Sequence, residues 1–218
     1  MKLSRLFWIT GTVLVLGTLF LWLLLAKLQQ RAHVQQGGEQ NLPIISQVTD
    51  FTLTNQNNQL VTLSDLRGKV WIADIIFTRC TGPCLKMTRE MKELQDALPG
   101  EVEPRLVTLT TDPDYDTPGI LKKRAELFGA NPNRWMFLTG TKTEIAKLAT
   151  NSLKLAAVEK HPEERTDSND LFIHSTIFVI VDRQARLRGV FETVGDTIDF
   201  QQVKPEILKA VRQLQRES

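Results

Sequence analysis

The sequence predicts an α/β sandwich built on a central mixed sheet and carried behind one N-terminal transmembrane helix. Three observations lead there. From Asp50 onward, segments of strand character alternate with segments of helical spacing, and the series closes with a hairpin and a helix. The run "KVWIADIIF" (69–77) is nearly continuous in apolar residues and rich in Ile and Val, as a strand buried on both faces should be. Upstream of both, Leu6–Ala26 carries no charge over the roughly 20 residues that a helix needs to cross a bilayer.

Within that apolar run, Thr10, Thr12 and Thr18 can bond back to the helix backbone, and Trp8 and Trp22 lie near its two ends, where indole rings favour the membrane interface. A cleaved signal peptide would have a shorter apolar stretch and a small-x-small site, which "AKLQQRA" does not offer. Lys2 and Arg5 precede the span and Lys27 and Arg31 follow it, a slight bias for the amino terminus inside. A tail of five residues has little reason to cross while a large domain stays behind, so the globular part is expected outside the cytoplasm. Residues 1–26 are thus read as an anchor and 27–49, rich in Gln and Gly, as a tether. Residues 50–218 have the length of one domain.

Along that domain, "DFTLTNQNNQLVTLSDL" reads as two short strands around an Asn-rich turn. The buried strand 69–77 follows. Met87, Met91, Leu94 and Leu98 then fall at helical spacing, and the two methionines read as core filling rather than metal ligands. "EPRLVTLT" (103–110) is a strand, and "TPGILKKRAELFG" (117–129) a helix that Gly129 can end. "RWMFLTG" is a short strand, and "TKTE" (141–144) a capping box that opens another helix. "HSTIFVIVD" (174–182) and "LRGVFE" (187–192) form a hairpin across "RQAR", and "KPEILKAVRQL" is the closing helix. There are 27 Lys and Arg against 25 Asp and Glu, a net charge of +2 that argues against a nucleic-acid partner.

Cys80 and Cys84 are the only cysteines in 218 residues. They fall where the buried strand ends and a helix begins, a place where peptide N–H groups and the helix dipole favour a thiolate. A stabilising disulfide closing five residues would contribute only about 2 kcal/mol, and a chain of this length has a core without it. Two functional readings stay open. One is thiol–disulfide exchange, although the usual motif there is C-x-x-C, one residue shorter. The other is a metal site, since soft thiolates suit Cu(I), zinc or an iron–sulfur centre. Two ligands are too few for zinc or a cluster, so further donors must come from elsewhere. Of three histidines, His33 lies in the tether and His161 in the charged loop "EKHPEERTDSND". His174 precedes the apolar "STIFVIVD"; a histidine beside a core strand is ordinarily just hydrogen-bonded, and the pattern alone does not assign it a ligand role.

"DFTLTNQNNQLVTLSDLRGKVWIADIIFTRCTGPC" resembles the opening of the Sco/SenC family of membrane-tethered copper proteins. "TTDPDYDTPGILKKRAELFG" is similar to that family's Asp-Pro-x-x-Asp-Thr-Pro segment, and "FIHSTIFVIVD" to its distal histidine strand. The resemblance runs from about Asp50 to the C-terminus and implies a thioredoxin-like fold with Cys80, Cys84 and His174 as copper ligands. Asp112 and Asp116 match the family's acidic pair; as pattern they read as turn-forming and N-capping residues. One departure concerns proline. The family commonly has Pro directly after each cysteine, whereas here Thr81 and Leu85 stand there and the proline is Pro83. That is expected to alter the loop, and with it affinity or redox potential.

The resemblance implies a copper metallochaperone holding Cu(I), Cu(II) or both, with the CuA-bearing subunit of cytochrome c oxidase as recipient. It implies a single-pass protein of a bacterial inner membrane with its domain in the periplasm. The competing class is a membrane-anchored thiol–disulfide oxidoreductase that uses Cys80 and Cys84 and does not need His174. "IHST" lacks the proline that usually faces the dithiol in thioredoxin-like reductases, which favours metal binding. A peroxidase is a weaker third reading.

Overall fold

The computed structural model of the chain describes residues 41–98, 105–165, 171–195 and 197–217. The expected anchor at 1–26, His33 and the tether up to residue 40 lie outside the described residues. Among the described residues no helix is long and apolar enough to cross a membrane.

The folded unit starts at Leu42, earlier than the expected boundary at Asp50. Residues there already have partners. β1 (Ser46–Gln47) pairs antiparallel with β10 (Arg186–Glu192), and Val48 is buried with its N–H on the Ala185 carbonyl at 2.8 Å. Arg188 of β10 closes this end. Its guanidinium donates to the Leu42 carbonyl at 2.7 and 2.9 Å, to Asp182 at 2.8 Å and to Glu217 at 2.8 Å.

β2 (Thr52–Asn55) and β3 (Leu60–Thr62) form the expected hairpin. Asn55 accepts from the backbone of Asn57 and Gln59, and Asn58 takes the left-handed conformation that asparagine tolerates. One helical turn, α1 (Leu63–Leu66), follows, and then β4 (Trp71–Ile76), buried at every position. The remaining elements are α2 (Pro83–Ala97), β5 (Arg105–Thr110), α3 (Pro118–Leu127), β6 (Trp135–Thr139) and α4 (Lys142–Ala146), which runs on into a π-helical turn at Lys147–Ser152. Thr141 caps α4 by accepting from the Glu144 N–H at 3.2 Å. α3 ends with Gly129 at φ 64°, the left-handed stop read from the sequence.

Eight strands make one mixed sheet in the order β1-β10-β9-β4-β5-β6-β2-β3, with β4, β5 and β6 parallel and the other pairings antiparallel. β9 is Ile177–Val181. Alternation along β4 divides the core. Ile72 and Ile76 face Met87, Met91 and Leu94 of α2 and Ile207 and Val211 of α5 (Phe200–Arg216). Trp71, Ala73 and Ile75 face Leu66, Leu148 and Leu153. Two layers of helices thus cover a mixed sheet, and the methionines are core.

Two elements depart from the sequence reading. The closing helix begins at Phe200, capped by Asp199, with Pro205 inside it rather than at its start. Phe200, Val203, Ile207, Val211 and Leu214 already share one apolar stripe, so tertiary burial outweighs one lost backbone bond. The second concerns 174–182, read as one strand. His174 instead ends a short strand, β8 (Phe172–His174), which pairs with β7 (Ala157–Glu159) in a separate ribbon. Ser175 breaks the strand by accepting from the Ala156 N–H at 2.6 Å.

Candidate metal centre

The site forms at the C-terminal end of β4, where parallel strands commonly leave room for a ligand. Cys80 lies in the turn after β4, and Cys84 is the second residue of α2, whose first is Pro83. β9 runs antiparallel beside β4, with Ala73 opposite Val179. N-terminal to β9 the chain runs through Thr176 and Ser175 into β8, which pairs with β7 and ends at His174. Tertiary packing thereby closes a separation of 90 residues between Cys84 and His174.

The sulfurs of Cys80 and Cys84 and a ring nitrogen of His174 all lie within 4.8 Å of one another. Nε2 of His174 is 3.1 Å from the Cys84 sulfur. Nδ1 is 3.1 Å from the Ser175 carbonyl, which can only accept; Nδ1 therefore carries the proton in the neutral ring, and Nε2 turns a lone pair to the sulfurs. The Phe77 ring sits edge-on to both Phe172, at 5.2 Å, and His174, at 5.8 Å, and wedges the ribbon's inner face in place.

The two thiols differ. Cys84 is 0% exposed and Cys80 9%, with Thr81, Gly82 and Pro83 exposed beside it. The Cys84 thiol stabilises the Cys80 thiolate and holds Cys80 down at about 4 against the opposing effect of burial. Cys84 is pushed up, first by its interaction with Cys80 and then by burial. The reactive sulfur is thus Cys80. Thr81 stands in a Thr-x-x-Cys spacing to Cys84, but full burial of that sulfur does not suit a peroxidatic thiol.

The acidic pair does more than form a turn. Asp116 is fully buried and accepts from the Thr78 N–H at 3.0 Å, from the Thr78 hydroxyl and from the Thr110 hydroxyl at 2.5 Å. The N-cap of α3 is Thr117 instead. Asp112 accepts from Arg79, the residue before Cys80, at 2.5 Å, and the Arg79 guanidinium lies 4.5 Å over the Tyr115 ring. Arg124 of α3 donates to the Thr78 carbonyl. Thr78 is therefore held at its N–H, hydroxyl and carbonyl, which fixes the turn that presents Cys80. His161 sits apart from the cluster, in the loop, where its N–H donates to Glu164 at 3.1 Å.

Two further groups escape a pattern reading. Asp74 lies on the same face of β4 as Ile72 and Ile76, fully buried. Neither carboxylate oxygen has a hydrogen-bond partner among the described residues. Burial pushes this carboxyl up to about 7. The signal was present: one acid inside an otherwise apolar run. Arg124 carried no signal, because "KKR" on a helix reads as a solvated face.

Residues 42–209 match a protein-family model described as SCO1/SenC. The chain is 36% identical over 164 residues to the SCO1 protein homolog of Bacillus subtilis (strain 168), covering 74% of this chain and 82% of that protein. It is 28% identical over 183 residues to a putative copper-binding protein of Stutzerimonas stutzeri, covering 83% of this chain and 86% of the relative. Its fold superposes on the solved structure of BsSco, described as a Sco-family cytochrome c oxidase assembly protein with a disulfide switch. There the TM-score is 0.64 at 31% identity, over 80% of this chain and 99% of the other.

Proposed function

The chain belongs to the SCO1/SenC family, and from that premise we propose that it is a copper metallochaperone that holds one copper ion through Cys80, Cys84 and His174 and delivers it to the CuA-bearing subunit of cytochrome c oxidase. The observation that carries this reading is the convergence of two sulfurs and one imidazole nitrogen. They lie within 4.8 Å of one another, no more than about twice a metal–sulfur bond of roughly 2.3 Å, a spacing that suits one ion shared by all three. Two soft sulfurs suit Cu(I), and the added nitrogen lets Cu(II) bind as well. The name of the Stutzerimonas relative and the description of BsSco support copper and oxidase assembly respectively.

The residues divide the work. Cys80 is ionised at neutral pH and, though buried, is the less enclosed sulfur, beside the exposed Thr81, so an incoming ion meets it first. His174 offers Nε2 beside the buried sulfur. Cys84 gives up its proton last and, being enclosed, is the last donor a recipient's ligands can replace. Joining the two sulfurs in a disulfide removes two electrons and the remaining Cys84 proton and abolishes both sulfur donors, so copper retention and thiol redox state are coupled. Residues 1–26 anchor the protein in a bacterial inner membrane with the domain in the periplasm; the uncharged run Leu6–Ala26 supports this.

The test is a Cu(II) titration of the reduced full chain in detergent, followed by absorption, with His174→Ala alongside. One equivalent with a sulfur-to-copper charge-transfer band, lost or shifted in the variant, is expected. Rapid thiol oxidation with no copper retained, equal in both proteins, would overturn the chaperone and leave an oxidoreductase that uses Cys80 and Cys84 alone.

A further inference from the structure

Arg124 brings a positive charge into the same interior as the two thiols. The residue is 8% exposed, while its neighbours Lys122 and Lys123 on α3 are exposed. One guanidinium nitrogen donates to the Thr78 carbonyl, and the group lies 5.5 Å over the Phe128 ring. Asp116, the acid on the same turn, gives both carboxylate oxygens to Thr78 and Thr110. Burial works against the charge of Arg124; Cys84, Asp116 and Cys80 favour it in that order, Cys84 once its thiol is ionised, as a thiol is when it holds a metal. A buried cation is costly unless negative charge compensates it. Here two of the three compensating groups are the candidate copper ligands.

We propose that Arg124 is the counter-charge of the copper site and that it strengthens the binding of Cu(I) relative to Cu(II). The inference rests on the copper reading above. Two thiolates and a neutral imidazole carry two negative charges. With Cu(I) the complex keeps one of them; with Cu(II) it is neutral. A fixed positive charge in a medium of low dielectric favours the anionic complex over the neutral one. Arg124 touches neither sulfur through a hydrogen bond. It acts through its field and through the Thr78 carbonyl, as a positioning residue.

Three variants separate charge from shape. Arg124→Gln removes the charge and keeps a polar N–H group in its place. Arg124→Met removes both, and Arg124→Lys keeps the charge. Each full-length protein, reduced and in detergent under anaerobic conditions, is titrated with Cu(I) against bicinchoninate and with Cu(II) against glycine. Thermal melts confirm folding. Arg124→Gln is expected to lower the ratio of Cu(I) to Cu(II) affinity at least fivefold, and Arg124→Lys to keep it within twofold of the parent. A ratio unchanged in Arg124→Gln, whether both affinities fall together or neither moves, overturns the counter-charge; the same outcome in Arg124→Met decides the matter if the Gln protein does not fold. A parent protein that retains neither ion overturns the copper reading itself, an outcome distinct from a parent that binds copper with an unchanged ratio in the variants.

Discussion

Cys80 and Cys84 are four residues apart and chemically unequal. Cys84 lies in the first turn of α2, in the same core cluster as Phe77 and Ile76, while Cys80 stays in the turn with an open neighbour on its C-terminal side. Iodoacetamide at pH 6 is therefore expected to modify Cys80 and spare Cys84 in the folded protein, with peptide mass spectrometry as the readout. Because the Cys84 thiol is the largest cause of the low Cys80 value, Cys84→Ala should move the midpoint of Cys80 alkylation well above 4. A midpoint that stays put would show that His174 and the backbone N–H groups of the turn supply the acidity. The sequence located both sulfurs at a strand-to-helix junction. It could not rank them, because their difference is one of burial, set by helices packed from elsewhere.

The turn between β4 and α2 is an element held from outside itself. Its Thr78 is gripped by Asp116 and Arg124, which come from the far side of β5. Asp116→Ala leaves the Thr78 N–H and two hydroxyl groups without their acceptor in a buried setting. It is expected to destabilise the fold by about 3 kcal/mol, measured by urea unfolding. It should also lower copper affinity by loosening Cys80; a loss below about 0.5 kcal/mol would mean that water replaces the carboxylate freely. The strands of the main sheet were legible, since composition and alternation report burial directly. The β7–β8 ribbon was not. Three residues on each side are too few to set a period, and "HSTIFVIVD" ran on in apolar character past the break at Ser175.

For the whole molecule, Asp74 links stability to pH. Its folded-state value of about 7 lies above the ordinary carboxylate value of 3.8. A carboxyl raised on folding costs nothing at low pH, where both states are protonated. It costs progressively more stability as pH rises through the unfolded value towards the folded one. The melting-temperature advantage of Asp74→Asn over the parent is therefore expected to grow between pH 4 and 7 by more than about 1 kcal/mol, or roughly 2–4 °C. A difference that stays flat over that window in calorimetry would show that the carboxyl titrates near its ordinary value in the folded protein, as it would if it found solvent or a partner. The opposite sign applies to Cys80, whose lowered value supplies stability that is complete above the ordinary thiol value of 9.0 and is lost progressively as pH falls to about 4. Comparing parent and variant at each pH removes that contribution.

By itself the sequence determined which chemistry is available: two soft sulfurs at a strand end, one histidine before a core strand, and a sheet strand with no solvent face. Those are local properties, carried by residue type and by periods of two or about four residues. Tertiary structure decided the rest. Packing of the β7–β8 ribbon against Phe77 brings His174 to 3.1 Å from Cys84, and nothing local specifies that distance. Docking of α3 turns Arg124 inward and leaves Lys122 and Lys123 in water, though the three are neighbours of one charge. Long-range packing selects among residues that look alike in sequence, because burial belongs to a pair of surfaces and not to either one alone.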